Sequence, residues 1–141
     1  MADCVFCAIL DGSLPASFVH RDAEVSAFLD IRPVNPGHVL VVPNAHAQGL
    51  GDLPEAIGGW IMGVGQRLAA ALRRSEVRCE GVMLHLADGE VAGQEVFHVH
   101  LHVIPRFRGD GFGLRFGPRY GEQPPRDELD RLALELRSAL V

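Results

Sequence analysis

Three histidines spaced two residues apart, His98, His100 and His102, are the residues of this chain best suited to do chemistry. An imidazole can bind a metal ion, and near neutral pH it can also act as a nucleophile or a general base. The histidines alternate with aliphatic residues, which is typical of a strand with one buried face. We therefore predict a strand over 96–104 whose aliphatic side chains fix the register and whose three imidazoles share the other face.

The spacing limits what these imidazoles can do together. At about 3.3 Å per residue, His98 and His102 would lie roughly 13 Å apart along the strand, too far for both to bind one tetrahedral zinc ion. Neighbouring members would lie roughly 6.7 Å apart and could converge on one metal. We expect the three histidines to divide their roles. The alternative is a row of solvated or hydrogen-bonded histidines that does no chemistry.

A second group with chemical potential is the Cys-x-x-Cys pair formed by Cys4 and Cys7. No secretory signal is evident at the N-terminus, so we expect a reducing, cytoplasmic location, where paired cysteines favour metal or redox roles. A thioredoxin-like redox pair would follow a strand in a β-α-β pattern, which this sequence does not predict. Structural zinc sites use four ligands, often mixed cysteine and histidine. The alternative is a pair of unligated thiols.

The composition excludes several function classes. The chain has 141 residues, which suits a single domain over 1–141. It is 48% hydrophobic and 22% charged, as expected of a globular protein and not of a disordered chain. No apolar run approaches the roughly 20 residues of a membrane span. A net charge of −5 argues against binding a nucleic-acid polymer. We expect neither a membrane nor a nucleic-acid partner.

The remaining sequence predicts the elements that position these side chains. Periodicity and turn residues predict strands over 18–21, 24–29, 38–43, 82–86 and 96–104, helices over 54–74 and 127–140, and a short helical turn over 4–10. The spacing of Asp52 and Glu55 suggests a capping box for the first long helix. Short strands without regular β-α-β alternation predict an α+β domain with an antiparallel sheet of about five strands and two main helices.

Motifs at four places along the chain, in order, resemble the histidine triad (HIT) family of nucleotide hydrolases and transferases. They are Gly-Gln-x-Val-x-His-x-His-x-His over 93–102, the N-terminal Cys-x-x-Cys, Phe-Leu-Asp-Ile-Arg-Pro over 28–33, and Pro-Gly-His-Val-Leu-Val-Val-Pro-x-x-His over 36–46. The resemblance is to the bacterial zinc-binding type. It implies a HIT-like fold and a homodimer, with an N-terminal zinc-binding element over 1–12 and a C-terminal loop and helix over 106–141.

The resemblance also implies a reaction. The middle histidine, His100, would attack the α-phosphorus of a purine nucleotide and form a covalent nucleotidyl-histidine, which water converts to a nucleoside monophosphate. The catalytic residues implied are His98, His100, His102 and Gln94. The nucleotide contacts implied are Phe6, Ile9, Asp30, Ile31, His38, Gln94, Glu95, Val96, His100 and His102. In this scheme His38 and His102 contact phosphate oxygens, and Asp30 accepts hydrogen bonds from the ribose.

The resemblance assigns one structural zinc ion to four residues, Cys4, Cys7, His46 and His98. Because the third triad position is His102 and not glutamine, hydrolase activity is favoured over nucleotidyl transfer. The expected substrate is a nucleotide phosphoramidate or phosphoanhydride.

Three alternatives stay open at this point. The first is a dinucleoside polyphosphate hydrolase of the diadenosine tetraphosphate type. The second is a hydrolase whose triad holds a catalytic zinc. The third is a non-catalytic nucleotide-binding or scaffold protein, because Ala87 stands where many relatives carry asparagine and Glu95 where the best-known eukaryotic branch of the family carries serine.

Overall fold

A computed structural model describes residues 3–140, and a five-stranded antiparallel sheet is its main feature. The elements in chain order are α1 (Val5–Leu10), β1 (Phe18–Arg21), β2 (Val25–Leu29), β3 (Val39–Pro43), α2 (Glu55–Arg74), β4 (Gly81–His85), β5 (Leu101–Arg106) and α3 (Arg126–Ala139). Short 3-10 turns lie at Leu50–Asp52 and Glu90–Ala92. The predicted α+β class, with five antiparallel strands and two main helices, is confirmed.

The strand order is β1-β2-β3-β5-β4, which places the histidine-bearing strand between β3 and β4. His102 of β5 lies opposite Leu40 on one side and opposite His85 on the other. Residues directly opposite on antiparallel strands project to the same face of the sheet. The register therefore brings His85 and His102 together, although they are far apart in sequence.

One face of the sheet packs against α2. Alternate strand residues, including Val25, Val41 and Val103, are fully buried there. Helix α2 contributes Ile61 and Val64 to the same core. Burial of this aliphatic set removes apolar surface from water and fixes the register of each strand. The residues between them must consequently face the other way, which sets the composition of the opposite face.

The opposite face, called here the site face, carries a smaller apolar cluster and the histidines. The cluster consists of Phe6 from α1, Phe28 from β2, and Leu40 and Val42 from β3. The rings of Phe6 and Phe28 meet edge-on, with centroids 5.5 Å apart. Helix α1 is thereby fastened to the sheet beside the histidine-bearing strand.

Gly65 lets α2 approach the sheet closely. A Cβ atom there would lie 2.8 Å from Leu101 Cδ2 and 3.3 Å from Leu84 Cδ2. We expect Gly65→Ala to lower the free energy of unfolding by about 1–2 kcal/mol, because overpacking outweighs the gain in helix propensity. Gly63→Ala, where a Cβ meets open space, is the matched control and should raise the free energy of unfolding by up to about 1 kcal/mol. Urea unfolding of the two variants tests this, and equal stabilities would contradict it.

Two local predictions were wrong. The strand predicted over 96–104 is Leu101–Arg106. The backbone before Leu101 does not pair with a neighbouring strand. The N–H of Val99 donates to the carbonyl of Ala47, and the carbonyl of His98 accepts from the imidazole of His100. These groups therefore bond to a loop and a side chain and not to a neighbouring strand.

The predicted capping box of Asp52 and Glu55 is also absent. Pro54 is the N-cap of α2 and has no side-chain capping bond. The carboxylate of Asp52 instead accepts from the backbone N–H of Gly49, at 3.3 Å, within the preceding 3-10 turn. The proline separates this turn from the helix, so the acidic side chain closes the turn.

The chain divides into two compact units, the first ending at Gly111 and the second beginning at Phe112. All five strands lie in the first unit. The second unit contains α3, none of whose residues is buried; Leu136, for example, is 69% exposed. No helix within residues 3–140 has the length and apolarity that a membrane crossing requires.

Candidate active site and metal centre

Four histidines meet on the site face, and we call them the histidine row: His38 just before β3, His85 at the end of β4, His100 just before β5, and His102 in β5. His102 is at the centre. Its ring centroid lies 4.9 Å from that of His100, 5.1 Å from that of His38 and 5.2 Å from that of His85. Asp30 extends the row beyond His38, with Oδ2 3.7 Å from His38 Nε2.

His100 is held in the tautomer that a nucleophile requires. Its Nδ1 lies 2.8 Å from the carbonyl oxygen of His98. A carbonyl can only accept, so Nδ1 carries the proton and Nε2 keeps its lone pair. Burial lowers the pKa of His100, which keeps the ring neutral near neutral pH. The residue is 8% exposed, so the ring is fixed by packing. The edge of Phe6 contacts it, with ring centroids 5.1 Å apart.

A chain of hydrogen bonds orients His102. The backbone N–H of Val34 donates to Nδ1 of His38 at 3.0 Å, so the proton of neutral His38 must be on Nε2. That Nε2–H donates to Nδ1 of His102 at 2.9 Å. Neutral His102 therefore carries its proton on Nε2. This chain of hydrogen bonds, called here the relay, ends at the Nε2–H of His102. That N–H lies beside His100 and can donate to an anionic oxygen.

The same relay bears on whether the row could hold a metal ion. Asp30, His38 and His102 each offer a ligand atom, and these atoms lie within 4.8 Å of one another. A metal at His38 Nε2 would need the lone pair on that atom. The bond from Val34 occupies Nδ1 and leaves the proton on Nε2. The arrangement thus favours an anion over a cation.

Burial of His102 makes stability depend on pH. Burial, and then the neighbouring His100 and His38, lower the pKa of His102 from its ordinary value of 6.5 to about 4. The unfolded chain therefore binds more protons than the folded chain in this window. The free energy of unfolding should therefore fall as the pH drops from about 6.5 to about 4. It should recover its full value above about pH 6.5.

Urea midpoints measured at about pH 7 and about pH 5 test this expectation. His102→Gln, which cannot take up a proton, should lose less stability between the two pH values than the wild type. An equal loss in both proteins would contradict the assignment to His102.

A second cluster lies beside the row and contains all four predicted metal ligands. Cys4 Sγ lies 3.4 Å from His98 Nδ1, and Cys7 Sγ lies 3.4 Å from His46 Nδ1 and 3.6 Å from His98 Nδ1. A tetrahedral zinc ion with ordinary Zn–S and Zn–N bonds separates such atoms by about 3.5 Å. The four residues therefore fit a zinc site.

His98 is also in the tautomer that metal binding requires. Its Nε2 donates to the carbonyl of Pro43 at 2.8 Å, so the lone pair of Nδ1 points at the cysteines. Hydrogen bonding of the second ring nitrogen is the usual way in which proteins orient histidine ligands. The backbone carbonyl of His98 holds His100, so one residue joins the two clusters.

Helix α1 and its N-cap residue contribute side chains that contact both the metal-ligand cluster and the histidine row. Cys4 is its N-cap, and the N–H of Cys7 points at Cys4 Sγ, 3.4 Å away. Phe6 projects to a different side and packs against His98 and His100. A shift of this short helix would disturb the metal ligands and the ring of His100 together.

The other residues singled out from the sequence are distributed around these clusters. The amide of Gln94 is buried and bound to backbone: it accepts from Gly89 N–H and donates to the carbonyls of Gln48 and Val96. Gln94 thereby fastens the loop before the triad. Ile9 and Val96 are half-buried against the smaller apolar cluster of the site face. Ile31 is 91% exposed, and Glu95 is exposed.

Some residues that support the site were not found from the sequence. Asn35 is buried, and its amide donates to the carbonyl of Pro105 and to the carboxylate of Asp110. Asp110 also pairs with Arg106. These bonds tie the loop before His38 to the end of β5. A polar residue between two prolines was a signal for a structured loop, but its partners lie 70 and 75 residues away.

Comparison with known proteins agrees with the motifs. The HIT domain family pattern matches residues 11–109, well over half of the chain. The chain belongs to the HIT family.

Three relatives illustrate the HIT family match. A crystal structure of a HIT family protein from Bacillus anthracis superposes with a TM-score of 0.90 at 37% identity, covering 99% of this chain and 98% of the other. A zinc-bound histidine triad family protein from Mycobacterium smegmatis gives 0.76 at 40% identity and 99% coverage of both chains. An adenosine 5′-monophosphoramidase from Candida albicans is 32% identical over 99% of this chain and 93% of its own length.

Proposed function

We propose that this HIT protein hydrolyses purine nucleotide phosphoramidates or phosphoanhydrides at the α-phosphate, through a covalent nucleotidyl-His100 intermediate. One observation carries the proposal: neutral His100 has its Nδ1–H fixed on the carbonyl of His98, and its ring lies beside that of the donor His102. His100, just before β5, and His102, within it, thus bring a nucleophile and an N–H donor for an anionic oxygen together, as phosphoryl transfer requires.

In the first step, the lone pair of His100 Nε2 forms a bond to the α-phosphorus. The bond from phosphorus to the leaving group breaks, and the leaving group departs with the electron pair. The ring becomes cationic, and its Nδ1–H stays on the His98 carbonyl, which stabilises the charge. The N–H of His102 donates to a non-bridging oxygen of the α-phosphate.

In the second step, a water oxygen attacks phosphorus and the P–N bond breaks. Its electron pair returns to His100 Nε2, which restores the neutral ring. One water proton stays on the oxygen that is now bound to phosphorus. The other is released and neutralises the leaving group, which departed with the electron pair. The product is a nucleoside monophosphate. Splitting the reaction in this way replaces one difficult displacement by two easier ones.

The nucleoside is assigned to the β2 side of the row. Asp30 lies there, half-buried, and its carboxylate can accept hydrogen bonds from the ribose hydroxyls. Its Oδ1 is already fixed by the backbone N–H of Arg32 at 2.8 Å. Phe6, Ile9 and Ile31 are the apolar residues proposed to contact the base. Gln94 is proposed to act by positioning the loop that carries Glu95 and Val96.

We further propose that the cluster of Cys4, Cys7, His46 and His98 holds one structural zinc ion. When bound, the zinc would cross-link α1 to the sheet as a closed four-ligand site without an open position for chemistry. The zinc-bound relative from Mycobacterium smegmatis supports the choice of metal. A reducing cytoplasmic compartment would keep the two thiols available as ligands.

The family resemblance also leads us to propose a homodimer. Light scattering at micromolar protein concentration tests this, and a monomeric mass would contradict it.

The experiment that tests the proposed reaction is a comparison of substrates. Adenosine 5′-phosphoramidate and diadenosine tetraphosphate are incubated with the purified protein, and release of AMP is measured. The relative from Candida albicans named as an adenosine 5′-monophosphoramidase supports the first substrate. Release of AMP from either substrate supports α-phosphate hydrolysis. If the protein binds AMP but releases none from either substrate, the non-catalytic alternative is correct.

A further inference from the structure

A histidine outside the triad lies in the histidine row without a role in the mechanism above. His85 is the last residue of β4 and lies opposite His102 in the register. Its ring centroid is 5.2 Å from that of His102, about as close as the rings of His38 and His100. The family motifs identified in the sequence do not include it.

The strand order assigns His85 a definite side of the site. Asp30, proposed to bind the ribose, follows β2, and His85 ends β4, with β3 and β5 between them. His102 lies between these two flanks. If the ribose occupies the β2 side, the part of the substrate that extends away from it passes toward β4.

The ring of His85 is also available to a ligand. His85 is exposed, whereas His38 and His100 are buried. Within residues 3–140 its ring makes no hydrogen bond or ion pair with another side chain or the backbone. His20, by contrast, is held by Asp22 at 2.7 Å. An exposed imidazole always presents at least one N–H donor, whichever its protonation state.

We propose that His85 is a specificity-determining residue that donates a hydrogen bond to an anionic leaving group, such as the distal phosphates of a polyphosphate substrate. The inference rests on the proposed function, because it assumes that a nucleotide α-phosphate lies between His100 and His102. It predicts that the site discriminates between leaving groups by their charge. A phosphoanhydride offers distal oxygens to His85, and the amine of a phosphoramidate does not.

The test is the ratio of kcat/KM for diadenosine tetraphosphate to kcat/KM for adenosine 5′-phosphoramidate. His85→Ala should lower this ratio about tenfold or more, the size expected when one hydrogen bond to a charged group is lost. His85→Gln, which keeps an N–H donor, should restore part of the ratio. His20→Ala, which removes a histidine from β1, is the matched control and should leave the ratio unchanged.

The outcomes separate the two proposals. A ratio that is unchanged in His85→Ala, including an equal loss with both substrates, overturns the role of His85 and leaves the hydrolase proposal intact. A wild type that cleaves the phosphoramidate and not the polyphosphate also overturns it. If the wild type releases AMP from neither substrate, the proposed function fails, and the role of His85 fails with it.

Discussion

Replacing His100 with alanine is expected to lower kcat by about 10⁴-fold or more, the scale seen when a covalent nucleophile is removed. The side chain is buried with its Nδ1–H bound to the His98 carbonyl, and alanine leaves no nucleophilic lone pair at this position. His102 cannot substitute for it, because its Nε2 carries the relay proton and its Nδ1 accepts from His38. Substrate binding should change much less than kcat, since the phosphate donor and Asp30 remain.

Single-turnover kinetics with labelled substrate measure this effect. The control is His20→Ala, which removes an imidazole that is bound to Asp22 and lies outside the histidine row. Circular dichroism and the urea midpoint establish that both variants are folded. A kcat for His100→Ala within about tenfold of the wild-type value would be incompatible with a covalent mechanism.

The second large effect is expected from loss of one zinc ligand. Cys4→Ser should reduce the zinc content of protein purified without added metal from about one ion per chain to near zero. The free energy of unfolding should fall by about 3 kcal/mol or more, because a closed metal site contributes its binding energy to folding. Serine is a good N-cap, so α1 keeps its cap and the loss reports on the metal.

The matched control is Cys79→Ser. Cys79 is half-buried like Cys4, but its thiol donates to the carbonyl of Gly81 and lies outside the ligand cluster. This variant should keep its zinc. After removal of metal with a chelator, the wild type and Cys4→Ser should have similar stabilities. Wild-type protein without zinc, or a stability difference that persists after chelation, would contradict the structural role.

The sheet could be predicted from the sequence because its strands have one clear physical signature. β1 was predicted with its observed limits, and β2 and β3 to within one residue. The strand with the strongest alternation was placed wrongly, since it begins at Leu101. Alternation in the sequence indicates which face of a segment is apolar and which is polar. A strand also needs a neighbouring strand to accept its backbone hydrogen bonds, and the backbone around His98 bonds to a loop and a side chain instead.

The site was predictable where its residues lie in recognisable motifs and not where strand pairing alone brings them together. The triad, His38 and Asp30 lie in motifs, and the structure brings His100, His102, His38 and Asp30 into one row. His85 joins the row only through the register of β4 against β5. Nor could the sequence assign tautomers, because these depend on the Val34 N–H and the His98 carbonyl.

Mass spectrometry of protein that is mixed with adenosine 5′-phosphoramidate and rapidly quenched in alkaline denaturant tests the central claim most directly. One adenylyl group should be attached to the protein during turnover, and the modified peptide should contain His100. Zinc chelation should not prevent formation of this adduct in protein that stays folded. Turnover without any adduct, an adduct on another residue, or turnover that stops when metal is removed from folded protein would contradict the account.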